Sequence, residues 1–201
     1  MLSKVMKLAQ KSEDIIRTAV EIAGVLKTPG AVALVPTETV YGLICRAGDP
    51  EAVEKICSLK HRAPGKFFGW FIRDWKNADS YGLQMSPDAE KLAEKYFPGA
   101  VTLIVSTKSG STQAIRIPDH PLIKAVLEYF DEPLVQTSAN ASGLPDALSL
   151  QQALEQLNGV PDITFDGGNL HPNASGSTIV DTVSTPMRIL RQGAVSVDLP
   201  V

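Results

Sequence analysis

Residues 31–42 read AVALVPTETVYG, and the change of character at Pro36 sets how the chain is organised on either side. Ala31 to Val35 is a short, apolar, partly β-branched run of the kind a buried strand uses. Pro36 ends it, and Thr37, Glu38 and Thr39 follow as a polar loop ahead of Gly42. Open α/β sheets bind ligands at the carboxyl ends of their strands, so hydroxyls, a carboxylate and a glycine placed there suit a ligand loop. An ordinary polar turn has the same composition.

Toward the N-terminus, Ser12 precedes Glu13 and Asp14, and Ile15, Ile16, Ala19, Val20, Ile22, Ala23 and Leu26 recur at helical spacing until Pro29-Gly30. Toward the C-terminus, Asp49-Pro50-Glu51 supplies an N-cap, a proline at the first helical position and a first-turn acid. The helix predicted there runs to Lys60 and faces the core with Val53, Ile56 and Cys57. FFGWFI (67–72) reads as a strand, and Ser86-Pro87-Asp88 opens a helix to Tyr96. VTLIVS (101–106) and AIRIP (114–118) bracket a Gly/Ser loop and read as adjacent strands. A helix over 121–130 with His120 capping or positioning it, a strand PLVQT (133–137), and a capping box at Ser149 and Gln152 come next, the last opening a helix that ends at Asn158-Gly159. DITF, STIVD and MRIL read as closing strands. Strand and helix patterns alternate without a repeat, which predicts a single layered α/β domain over 1–201, with its core at about 12–195.

The 201 residues suffice for one substantial core, and no stretch resembles a linker between two domains. Lys and Arg number 19 against 22 Asp and Glu, a balance that does not advertise a nucleic-acid binder but leaves room for a local basic cleft. Cys45 and Cys57 fall at apolar-patterned positions with neither redox nor zinc spacing, and His61 and His171 form no metal-ligand spacing. Two structural cysteines, a charged N-terminus and the lack of an 18-residue apolar run give the expectation of a cytoplasmic protein with no metal site built by the chain and no membrane partner.

Neither a G-x-x-x-x-G-K-[ST] phosphate loop nor a G-x-G-x-x-G turn occurs, so a nucleotide would have to be held otherwise. Lys60-His61-Arg62-Ala63-Pro64-Gly65-Lys66 gathers three cations around a Pro-Gly turn. Such a cluster is the combination expected for polyphosphate, or else a solvated basic loop. Thr137-Ser138-Ala139-Asn140-Ala141-Ser142-Gly143 is a small-residue loop after an apolar strand, able to bond a ligand or simply to form an Asx or Ser turn. Ser175-Gly176-Ser177-Thr178-Ile179-Val180-Asp181 and Arg191-Gln192-Gly193 repeat the theme of hydroxyls and an arginine beside glycine.

PTETVYG, K-x-R with Lys66 downstream, FPGAVTLIV, IRIPDHP, TSANASG, STIVD and ILRQG stand in the order characteristic of the YrdC/TsaC family of threonylcarbamoyl-AMP synthases, from about Ile15 to Gly193. The chain resembles that family along nearly its whole length. The resemblance implies a twisted mixed sheet with flanking helices around a concave basic cavity. It implies an L-threonylcarbamoyladenylate synthase, a nucleotidyltransferase using ATP, L-threonine and bicarbonate, with Mg²⁺ accompanying the ATP, for N6-threonylcarbamoyladenosine in tRNA. By motif, Thr39, Arg116 and Ser138 are threonine-side positions. Arg62, Lys66, Asn140, Ser177 and Arg191 are ATP-side positions, and Lys60, Arg62 and Lys66 form the catalytic basic wall. A downstream threonylcarbamoyl transferase machinery and tRNA or double-stranded RNA are the implied partners. Three departures stand out: proline sits one place late at Pro64, Phe71 occupies the place of a histidine found in many members, and Leu148 lies near the place of a threonine. They resemble a YciO-like branch, for which the alternative function is non-catalytic binding of tRNA or double-stranded RNA, whereas Ser138-Ala139-Asn140 follows the synthase pattern.

Overall fold

A computed structural model describes residues 4–7, 12–63 and 68–200. The elements are β1 (Lys4–Lys7), α1 (Ser12–Leu26), β2 (Ala33–Val35), β3 (Gly42–Arg46), α2 (Pro50–Leu59), β4 (Gly69–Phe71), a 3₁₀ helix (Trp75–Tyr81), β5 (Leu83–Gln84), α3 (Pro87–Tyr96), β6 (Val101–Thr107) and β7 (Thr112–Arg116). They continue with α4 (Pro121–Leu127), β8 (Leu134–Ser138), α5 (Leu150–Gln156), β9 (Ile163–Asp166), β10 (Thr178–Asp181) and β11 (Arg188–Arg191). The described strands form one mixed sheet in the order β1-β9-β2-β3-β8-β4-β7-β6-β10-β11, with β5 pairing to β6.

Helix ends follow the local chemistry. Asp49 caps α2, accepting from Ala52 N at 3.0 Å while its other oxygen accepts from Gly30 N at 2.9 Å. Ser86 caps α3 through Ala89 N at 3.2 Å. At α5 the Ser149 hydroxyl accepts from Gln152 N, but Gln152 Oε1 reaches back to Leu148 N rather than to the cap residue itself. His120 occupies the N-cap of α4 without a side-chain bond, so it positions the helix only through its carbonyl, which accepts from Lys124 N at 3.0 Å.

The apolar stripe of α1 is narrower than its composition suggests. Ala19, Ile22, Ala23 and Leu26 are buried, while Ile16 and Val20 are 56% and 49% exposed. Ile16 and Val20 are an i, i+4 pair, and at about 100° per residue they line a neighbouring stripe. In α2, Ala52 and Leu59 join Ile56 and Cys57 inside, and Val53 is half-buried.

Pleating divides the sheet into two faces. Leu34, Leu43, Cys45 and Val135 pack with α2 and α5 residues, and Trp70, Leu103, Ile115 and Val180 continue toward α3 on that side. Ala33, Val35, Ile44, Leu134 and Phe165 pack on the other side against α1 and α4. Along β3 and β8 this second face changes from Ile44 and Leu134 under the helices to Gly42 and Ser138 beyond them. That unroofed part of the face is where the cavity lies.

Candidate functional site

A cavity of about 300 Å³ crosses seven neighbouring strands of the sheet, and none of its lining residues is helical. Its floor is built from residues of one pleat face. Gly42 pairs with Ser138, Gly69 with Gln136, Phe71 with Arg116, and Thr102 with Ile179, each pair side by side in register. Small residues there leave the volume open. A Cβ on Gly69 would stand 2.4 Å from Gln136 Nε2.

At one end lies the loop after β2. The Thr37 hydroxyl donates to Val40 O at 2.7 Å and accepts from Thr39 N and Val40 N at 3.1 and 3.2 Å. The Thr37 and Thr39 hydroxyls stand 2.9 Å apart. Arg116 Nη1 and Nη2 both donate to Thr39 Oγ1, at 3.2 and 3.3 Å. Arg116 Nε donates to Gly99 O at 2.9 Å, and Nη2 meets Glu38 Oε1 at 2.5 Å. Burial pushes the Arg116 guanidinium down, Glu38 opposes that, and Arg191 adds to it; the group stays charged, as arginine does in proteins. Tyr41 closes this loop from behind, its hydroxyl donating to Gly168 O and accepting from Gly167 N, and burial pushes it up to about 12.

The opposite end is formed by β10 and β11. Arg191 Nε and Nη2 both donate to Ser177 O, at 3.1 and 2.8 Å, and the Ser177 and Thr102 hydroxyls are 2.7 Å apart. The third cation arrives from the end of α2. Lys60 N closes the helix on Ile56 O, His61 takes a left-handed φ of 50°, and Arg62 N returns to Cys57 O at 2.9 Å. Arg62 then lines the cavity with its guanidinium 4.5 Å over the Phe68 ring.

Lys60 goes elsewhere. It is 2% exposed, and its ammonium donates to Ser138 O, to Asn140 O at 2.6 Å and to Asn140 Oδ1 at 3.3 Å. It braces the loop after β8 from beneath instead of standing in the wall of the main cavity. Asn140 is likewise turned inward, its amide donating to Leu144 O at 2.6 Å and its oxygen accepting from Ser138 Oγ at 2.5 Å. Both residues border an adjoining cavity of about 270 Å³ that shares Arg62, Thr137 and Ser138 with the main one.

Thus Thr39, Arg62, Arg116, Ser138, Ser177 and Arg191 converge on one cavity, Lys60 and Asn140 border its neighbour, and Lys66 lies outside the described residues. Thr37, Thr102, Gln136 and Asp146 also line the main cavity. Thr37 belongs to the loop that the sequence marks as suited to a ligand, whereas Thr102 and Gln136 lie inside strands, where a threonine or glutamine carries no local sign of facing a ligand, and Asp146 stands in a loop outside the motifs. Cys45 and Cys57 are buried and free, and burial pushes the Cys45 thiol up to about 12.

Three arginines of distant origin and a rim of hydroxyls make a site for an anionic ligand. The protein-family model Sua5/YciO/YrdC, described as telomere recombination, matches residues 26–193. The chain belongs to the Sua5/YciO/YrdC family. A threonylcarbamoyl-AMP synthase of Pseudoalteromonas translucida is 34% identical over 175 residues, covering 77% of this chain and 88% of that protein. The fold is similar to that of Pyrococcus abyssi Sua5 complexed with L-threonine, with a TM-score of 0.78, 26% identity, and 95% of this chain covered. The chain spans 57% of the length of that Sua5 chain. It is also similar to E. coli YciO, with a TM-score of 0.80 and 25% identity, covering 97% of this chain and 98% of the other. No helix among the described residues is long and apolar enough to cross a membrane.

Proposed function

We propose that this chain is an L-threonylcarbamoyladenylate synthase, making threonylcarbamoyl-AMP and pyrophosphate from L-threonine, bicarbonate and ATP for N6-threonylcarbamoyladenosine modification of tRNA. The observation that carries this reading is the meeting in one cavity of Arg116 with Thr39, suited to an amino acid, and of Arg62 with Arg191, suited to phosphates. Relatives bearing the synthase name support it.

In this reading the whole chain acts as one cytoplasmic domain. The threonine amine and carbon dioxide from bicarbonate form a carbamate. A carbamate oxygen attacks the α-phosphorus of ATP, forming the new P–O bond as the bond to pyrophosphate breaks. No covalent link to the protein is needed. Arg116 holds the amino-acid carboxylate by a charge-assisted bond, and Thr39 steadies the guanidinium beside it. Arg62 and Arg191 offset charge on the phosphates and on the departing pyrophosphate, and Ser138 and Ser177 add hydroxyl contacts. Lys60 and Asn140 act by holding the shape of the loop over which ATP lies, and Lys66 belongs to the nucleotide side by motif.

Among the described residues no group of three or more His, Cys, Asp or Glu is arranged to hold a metal ion. The donor set fits an ion carried in by ATP, for which Asp146 is the nearby cavity carboxylate. Mg²⁺ so bound supplies charge neutralisation for the leaving group. The adenylate product would pass to a downstream threonylcarbamoyl transferase machinery.

Incubation with labelled bicarbonate, L-threonine, Mg²⁺ and ATP should give a labelled adenylate and pyrophosphate, both dependent on threonine. ADP formed without threonine, as the sole product, would refute the assignment. The alternative is a protein binding tRNA or double-stranded RNA on the same basic face, and it predicts duplex binding with no threonine-dependent pyrophosphate.

A further inference from the structure

We infer that Glu38 is a positioning residue for the amino-acid end of the cavity, fixing the Arg116 guanidinium so that one of its N–H groups stays available to the ligand. This rests on the reading of that end as the threonine subsite. Arg116 has a side chain only 4% exposed and comes from β7, 78 residues away from Glu38. A buried guanidinium without a counter-charge is strongly unfavourable, and one without a fixed acceptor turns toward whatever anion or water it can reach. Glu38 prevents that with a single oxygen, which takes Arg116 Nη2 at 2.5 Å and Asp119 N at 2.7 Å. The second contact ties the carboxylate to the turn between β7 and α4, so the guanidinium is referenced to the main chain.

Hydrogen-bond accounting shows what this leaves for a ligand. Of the five N–H groups of an arginine, Nε serves Gly99 O, one on Nη1 serves Thr39, and the two on Nη2 serve Thr39 and Glu38. The remaining Nη1 proton is the donor available to a carboxylate. The Phe71 ring, 5.7 Å from the guanidinium carbon, supports the group from the floor. Glu38 is not among the residues lining the cavity, and its Oε2 is buried with no hydrogen-bond partner among the described residues. A carboxylate so enclosed acts through Arg116 rather than by taking a proton from substrate.

The test compares Glu38→Ala with Glu38→Gln in the full chain, reading the KM of threonine and of ATP from pyrophosphate release, threonine affinity by calorimetry, and thermal unfolding. Glutamine keeps an oxygen for Arg116 and Asp119 but removes the charge. Both variants should unfold at lower temperature, since each leaves a buried cation without its counter-charge. Glu38→Ala should raise the threonine KM and Kd at least about tenfold, as the loss of one oriented charge-assisted bond requires. Its ATP KM should move less than about threefold, and the Gln variant should hold its threonine KM within the same margin. Equal shifts in both KM values, a Gln variant as impaired as the Ala variant, or unchanged threonine affinity in the Ala variant would each overturn the role. A wild-type chain that neither binds threonine nor releases pyrophosphate would instead remove the synthase reading, and this role with it.

Discussion

Replacing Gly193 by Ala drives a methyl group into main chain that cannot give way. A Cβ there would lie 2.2 Å from Gly176 O, 2.4 Å from Ser177 C and 2.5 Å from Thr178 N. Those atoms are fixed from behind, because Thr178 N donates to Ala100 O at 3.0 Å and β10 is held in parallel register against β6. Relief therefore has to come from residues 192–194 moving away by on the order of 1 Å, the shortfall from ordinary carbon contact. That movement breaks the bonds from Gly193 N to Thr178 Oγ1 at 2.9 Å and from Ala194 N to Gly176 O at 3.1 Å. Each costs about 1 kcal/mol, and the residual overpacking costs about 1–3 kcal/mol, for a loss of about 3–5 kcal/mol. For a chain of this size the melting temperature should fall by about 10 °C. Arg191 lies two residues upstream and rests on Ser177 O, so the same displacement spoils the Arg191 end of the cavity, while Arg116 on β7 and Thr39 in the loop after β2 stay in place. Calorimetric titration should show ATP affinity weakened by at least about tenfold and threonine affinity nearly unchanged. A Gly193→Ala protein that melts within 2 °C of wild type, by the same scale, and binds ATP normally would refute the reasoning.

Arg62→Ala removes a cavity cation and its stacking on Phe68; it should weaken ATP binding by about 1.5–3 kcal/mol, roughly tenfold or more, with the fold intact by circular dichroism. Burial, and then the charge of Arg62, push Lys60 down from 10.5 to about 8 against the pull of Asp146. Its folded value is below its unfolded one, so the stability linked to it is present above about pH 10.5 and is lost as pH falls through about 8. Urea titrations should show wild type gaining up to about 3 kcal/mol relative to Lys60→Met between pH 7 and 10.5; parallel pH profiles would contradict the burial of this ammonium. Thr37→Val strips Thr39 N and Val40 N of their acceptor and should cost about 3 kcal/mol, whereas Thr37→Ser keeps the hydroxyl and should stay near wild type in chemical denaturation. Equal stability of the two Thr37 variants would exclude the hydroxyl as the hub of the loop.

Much of the architecture was legible along the chain because its signals are local. Ser86-Pro87 opens α3 where it reads as a cap and first-turn proline, and VTLIVS and AIRIP do become the antiparallel neighbours β6 and β7. β3 was missed, since GLIC directly follows the PTETVY loop, and a continuous apolar run beside a glycine does not alternate in the way a half-exposed strand does. The short β5 and the 3₁₀ helix have too few residues to establish a period.

The sequence by itself determined the family resemblance, the mixed α/β class and the loops that would carry hydroxyls and cations, because motif order and periodicity are properties of the chain. The tertiary structure decided what each side chain faces. Lys60 and Arg62 sit two residues apart in one basic run, yet the left-handed turn at His61 separates their roles: Lys60 lies beneath the Ser138–Asn140 backbone and Arg62 in the cavity. Glu38 and Arg116 are ordinary charged residues in sequence, and only the order β3-β8-β4-β7, which closes a separation of 78 residues, makes them one buried unit. A side chain's direction depends on partners contributed by other strands, and the desolvation that gives such a contact its energy exists only once those strands have met.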